Sequence, residues 1–116
     1  MTDTTTHSTR LAAEHQTTVE RLEDLRREFG LVVEATVDSN ADDEHDPEGS
    51  TIAYERSQVA ALIEQAEQHL VEIDDARARL ADGTYGLCVV CGQRIPEGRL
   101  EARPTARTCI EHASHA

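Results

Sequence analysis

The chain has 116 residues, only 38% of them hydrophobic, with one Phe, two Tyr and no Trp. That length suits one domain, but the shortage of large apolar side chains excludes a thick globular core. Acidic residues outnumber basic ones 23 to 11, a formal charge of -12, so the protein as a whole repels a phosphate backbone and direct nucleic-acid binding is disfavoured.

The first nine residues, Met1 to Thr9, are polar and rich in threonine, and they are expected to be a disordered N-terminus without the apolar stretch of a signal peptide. No apolar run approaches the roughly 18 residues of a membrane span. A cytoplasmic protein is expected. Residues 10–82 read as a helical hairpin. In its first arm the apolar residues Leu11, Val19, Leu22, Leu25, Phe29 and Val32 or Val33 fall at helical spacing, with Ala12 and His15 bridging the first gap. Ser8 or Thr9 is placed to cap the start, and Gly30 is a mild interruption. The stretch from about 38 to 50 carries Asp38, Asp42, Asp43, Glu44, Asp46 and Glu48 with Pro47 and Gly49, the composition of an acidic loop at the tip.

The second arm repeats the rhythm at Ile52, Val59, Leu62, Ile63, Ala66, Leu70, Ile73 and Leu80 and closes at Asp82-Gly83, where glycine suits a helix C-terminus. A narrow stripe near heptad period suits one partner helix, so the fold class is all-α dominated: an antiparallel two-helix coiled-coil hairpin. A two-helix seam barely offsets the entropy of ordering such long helices, and something must clamp the open end.

Residues 83–116 supply that clamp. All three cysteines of the chain lie there, as Cys88-Val-Val-Cys91 and, after a 17-residue gap, Cys109-Ile-Glu-His112. A CxxC turn aims two thiolates at a common point, and a second pair at i, i+3 does the same from the other side. Cys88, Cys91, Cys109 and His112 therefore fit one tetrahedral Zn2+, and His115 competes for the fourth place. Such a closed set serves structure, with no open position for a hydrolytic water. Structural zinc in small modules is worth on the order of 10 to 16 kcal/mol, enough to make the metal a foundation for the hairpin. Inside the gap, Gly92, Pro96 and Gly98 mark turns between short extended pieces. Tyr85, Leu87, Ile95 and Leu100 form the expected small core, and a short helix ends the module. Arg99 and Arg103 are expected to pair with Glu97 and Glu101. The acidic loop fails as a calcium site, because Asp43 stands where an EF-hand needs glycine and Gly49 where it needs glutamate.

The run Asp82-Gly83-Thr84-Tyr85-Gly86-Leu87-Cys88-Val89-Val90-Cys91-Gly92, followed by Ile95-Pro96 and by Arg99-Leu100-Glu101-Ala102-Arg103-Pro104-Thr105-Ala106-Arg107-Thr108-Cys109, resembles the zinc-finger signature of the DksA/TraR proteins. The resemblance implies a bacterial transcription factor that binds RNA polymerase rather than promoter DNA. Its coiled coil enters the polymerase secondary channel, and acidic residues at the tip approach the catalytic magnesium. In some members the effect is joined to the alarmone ppGpp, which makes ppGpp at the complex a candidate partner. Two departures are visible: His112 stands where the family has its fourth cysteine, and the tip reads Asp43-Glu-His-Asp46-Pro-Glu48, not Asp-x-x-Asp-x-Ala. The effector residues to expect are Asp42, Asp43, Glu44, Asp46 and Glu48. The expectation is thus a monomeric, non-enzymatic regulator. A zinc-thiolate redox sensor and a protein-interaction adaptor stand as alternatives.

Overall fold

The computed structural model describes the backbone of residues 4–40 and 47–115, and the side chains of residues 4–35 and 51–113. Its elements are α1 (Thr4–Asn40), α2 (Pro47–Asp82), α3 (Glu97–Ala102) and a terminal 3-10 helix, η1 (Ile110–His115). The two long helices pack as a hairpin followed by the cysteine-bearing module, which is the architecture the heptad rhythm implies. The chain divides into two compact units, Met1–Thr17 with His69–Ala116, and Thr18–Gln68.

In the second of these units the seam is made by Thr18, Leu22 and Leu25 from α1 and by Val59 and Ala66 from α2, all buried. Val59 and Ala66 are seven residues apart, as are Thr18 and Leu25, which keeps one face of each helix turned to the other. Arg26 reaches Glu67 at 3.4 Å across the seam, but both side chains are more than half exposed and water screens the pair.

In the other unit Leu11 and Ile73 are fully buried and Ala76 completes the contact. Two features depart from the sequence-based expectation. α1 begins at Thr4, so residues 4–9 are helical and Ser8 and Thr9 lie inside the helix rather than capping it. The reason is His7, only 5% exposed, whose ring packs on Tyr85 with centroids 4.7 Å apart. Its Nε2 lies 3.3 Å from both carboxylate oxygens of Glu97. A partner ninety residues away orders a segment whose own composition would leave it frayed. Gly30, the second departure, causes no break: it is exposed in the interior of α1, where it costs roughly 1 kcal/mol relative to alanine without ending the helix. α1 and α2 also take residues 38–40 and 47–50 from the predicted tip loop, with Pro47 at the first helical position. Asp42, Asp43, Glu44 and Asp46 lie outside the described residues, as does the side chain of Glu48.

Gly83 ends α2 as the sequence predicts. Its φ of 85° lets the chain reverse, and the N–H groups of Thr84 and Tyr85 donate to the Arg79 carbonyl at 2.9 and 3.1 Å. Asp82 Oδ1 accepts from the N–H and hydroxyl of Thr84, which fixes the turn. Arg79 itself is buried; Nε donates to Asp75 at 3.0 Å. Its guanidinium carbon lies over the Tyr85 ring, 6.0 Å from the centroid. The attraction of the ring face for a cation stands in for the hydrogen bonds that Nη1 and Nη2 lack among the described residues.

Candidate metal centre

The module after Gly83 has a core of Cys88, Ile95, Leu100 and Ala106, with Tyr85 and Cys109 packed against it. Leu87, expected in this core, is 37% exposed. Successive side chains of an extended segment point opposite ways, so once Cys88 turns inward Leu87 must turn outward. The extended pieces amount to a single antiparallel bridge, Leu87 to Arg94, supported by Ile95 N–H to the Gly86 carbonyl at 2.7 Å. The rest of the gap holds α3, which the sequence reading missed. The signal was present: Pro96 and Glu97 suit a first turn, and Arg99-Leu100-Glu101-Ala102 are strong helix formers.

Two backbone turns present the donor atoms. Cys88 N–H donates to the Gln93 carbonyl at 2.8 Å, and Gly92 N–H returns to the Cys88 carbonyl at 2.9 Å. Gly92 closes this turn at φ 74°, a conformation that a side chain would strain. The turn leaves Val89 and Val90 facing solvent while its cysteines converge. From the other side, the carbonyl of Thr108 accepts from Arg99 Nε at 2.8 Å, and His112 N–H donates to the Cys109 carbonyl at 3.1 Å. Arg99 is thus a brace for the second pair, rather than a surface partner of Glu101, while Glu97 is held by His7 and Arg10. Tyr85 Oη donates to the Pro104 carbonyl at 2.8 Å and ties the segment after α3 to the end of α2.

The outcome is a cluster of Cys88, Cys91, Cys109 and His112 whose ligand atoms all lie within 4.8 Å of one another. Cys91 Sγ is 3.9 Å from Cys109 Sγ, and His112 Nδ1 is 3.2 Å from Cys109 Sγ and 3.8 Å from Cys88 Sγ. Around a tetrahedral ion with thiolate and imidazole bonds of about 2.3 and 2.0 Å, neighbouring donors stand about 3.6 to 3.8 Å apart, so the residues present fit such an ion. His115 ends η1, and its side chain lies outside the described residues.

The thiols are electrostatically unequal. Burial works against ionising Cys88, but backbone N–H groups of Cys91, Cys109 and Val90 point at its sulfur and bring its pKa down to about 6. At Cys91 the Gln93 N–H favours the thiolate, yet burial and the neighbouring Cys88 and Cys109 outweigh it and push the pKa up. One sulfur is prepared as an anion and a second is held back by its neighbours, a conflict that a divalent cation relieves.

Residues 83–111 match the family described as the prokaryotic dksA/traR C4-type zinc finger. The structure superposes on that of transcription factor DksA2 from Pseudomonas aeruginosa with a TM-score of 0.75, covering 97% of this chain and 81% of that one at 27% identity. Residues 83–111 thus carry a zinc-finger motif of the DksA/TraR type. The chain is 41% identical to the uncharacterized protein YteA of Bacillus subtilis over 75 residues, 65% of this chain and 31% of that protein. It is 50% identical over 40 residues to the RNA polymerase-binding transcription factor DksA of Caulobacter vibrioides, 34% of this chain and 28% of that one. The chain therefore spans about a third or less of the length of these two relatives. Within this C4-type DksA/TraR finger, His112 is a departure from a set of four cysteines, and the matched segment stops one residue before it.

Proposed function

We propose that the protein is a non-enzymatic regulator of transcription that binds RNA polymerase through its secondary channel and is built on one structural zinc ion. The observation that supports this most is the likeness to DksA2, a transcription factor, over 97% of the present chain. In this reading the thiolates of Cys88, Cys91 and Cys109 and Nδ1 of His112 hold Zn2+, which supplies cross-linking of the module rather than a reactive water, since a closed four-ligand set leaves no open position. The backbone turns at Gly92 and His112 orient the donors, and Arg99 holds the second pair in place.

Asp42, Asp43, Glu44 and Asp46, which separate α1 from α2 in the sequence, and Glu48 in the first turn of α2 are the proposed effectors. Carboxylates at the tip of a helical hairpin are suited to a cation-bearing centre reached through a channel. ppGpp is proposed to act at the complex with polymerase. The free protein is proposed to be a cytoplasmic monomer that makes no sequence-specific contact with DNA.

The test is binding of the zinc-loaded protein to purified bacterial core RNA polymerase, with a known secondary-channel factor as competitor. Mutual displacement is expected. A variant carrying Asn or Gln at the five acidic positions should still bind but lose its effect on initiation. Absence of displacement, with zinc bound and helices intact, would end this reading.

A second reading, a zinc-thiolate redox sensor, draws on the exposure of Cys91, whose sulfur is 3.9 Å from that of Cys109. Zinc release by dilute peroxide no faster than from a small zinc thiolate complex would rule it out.

A further inference from the structure

Between the start of α1 and the cysteine-bearing module lies a cavity of 490 Å³, which shares Arg94 and Pro96 with the smaller pocket over the cysteine cluster and is not required by the polymerase reading. Its volume falls within the roughly 300 to 1,000 Å³ of small-molecule sites. Leu80, half-buried, gives it apolar surface over the buried Ile95 and Leu100, and the rings of His7 and Tyr85 meet at 58° with centroids 4.7 Å apart to make an aromatic corner. The polar ends of those rings are already engaged: Tyr85 Oη donates to Pro104, and His7 Nε2 lies on Glu97. Tyr85, half-buried, offers the cavity ring surface, and His7, only 5% exposed, backs that ring.

The charges along the wall are not balanced in the same way. Glu97 is held by His7 at 3.3 Å and by Arg10 at 3.5 Å. Arg94 also lines the cavity, is exposed, and pairs with no carboxylate among the described residues. In a chain of formal charge -12, a guanidinium left without an acid beside an aromatic corner is a recognition group for an anion. Glu97 sets the limit on that anion, because a second negative charge brought into the cavity would meet its carboxylate.

We propose that this cavity binds a small aromatic monoanion, its flat body against Tyr85 and Leu80 and its acid group on Arg94. Polyphosphates are selected against by Glu97. The full-length, metal-loaded protein is titrated with naphthoate, with naphthamide as the uncharged control, by calorimetry and by amide chemical shifts.

Saturable binding of one naphthoate per chain is expected, with shifts concentrated at His7, Tyr85, Arg94 and Ile95. Removing a charged hydrogen bond by Arg94→Gln should weaken binding about tenfold or more while circular dichroism and metal content stay unchanged. Thr4→Trp, which adds bulk to the wall contributed by α1, should abolish binding. The proposal is overturned if naphthoate does not saturate, if R94Q binds it as the natural protein does, or if naphthamide binds equally well.

Discussion

The helical seam and the C-terminal module bury their side chains by different means. Along the helices, Leu11, Ile73 and Ala76 are buried in one unit and Thr18, Leu22, Leu25, Val59 and Ala66 in the other, and the spacing along each helix does most of the specifying. Among the described residues of the module only Cys88, Ile95, Leu100 and Ala106 are buried apolar residues, and position is set by single hydrogen bonds and turns. A seam of repeating contacts degrades gradually when one member is lost. A module with so small a core depends on each specific link, above all on the convergence of its four donor atoms.

Breaking that convergence should give the largest effect. Cys109→Ser should lose the metal and unfold residues 84–112, since structural zinc contributes on the order of 10 kcal/mol in modules of this kind. Loss of dispersed amide signals together with zinc released to a colorimetric chelator checks this. His112→Ala should weaken zinc retention and His112→Cys should preserve it. If H112A keeps zinc as firmly as the natural protein, His112 is not a ligand.

In the seam, Ile73→Ala should destabilise by about 2 to 4 kcal/mol, the usual range for a fully buried large side chain. Val71→Ala, two residues away but 59% exposed, should stay within about 0.5 kcal/mol. Urea titration followed at 222 nm, the ordinary helix band, would separate them, and equal midpoints would contradict the heptad seam.

A smaller effect is expected at the junction of the two regions. Gly83→Ala forces a side chain into φ 85° and should cost about 1 kcal/mol, with no atom within 4 Å to make a clash the cause. The smallest concerns pH. Burial would raise the Glu97 carboxyl, but His7 and Arg10 outweigh it and hold its pKa below the ordinary 4.5. A carboxyl lowered by folding stabilises the native state above its unfolded value and loses that contribution as pH falls through its folded value. Glu97→Gln should therefore flatten the acid limb of the stability curve below about pH 4.5, and an unchanged limb would deny the contact a role.

Much of this was legible in the residues. The heptad rhythm gave both arms because a helix exposes one face at a fixed period, whatever packs on it. Gly83 was legible as a stop because few residues other than glycine reach its backbone conformation at low cost. The cysteine spacing gave the cluster because a CxxC turn converges its sulfurs locally. Leu87 and α3 were misread where short apolar runs serve strand, turn or helix equally well.

The sequence by itself thus determined the helices, the turn that ends α2 and the identity of the converging donors, since each depends on neighbours within a few residues. Only the tertiary structure decided the rest. Helical order at residues 4–9 and the cavity edged by Arg94 join residues distant in the chain, while the burial of Arg79 against Tyr85 and the hold of Arg99 on Thr108 need the intervening turns to be folded first. The contact of His7 with Glu97 spans ninety positions, and no local pattern encodes a partner that far away. Its energy exists only once the zinc module and the start of α1 have been brought together.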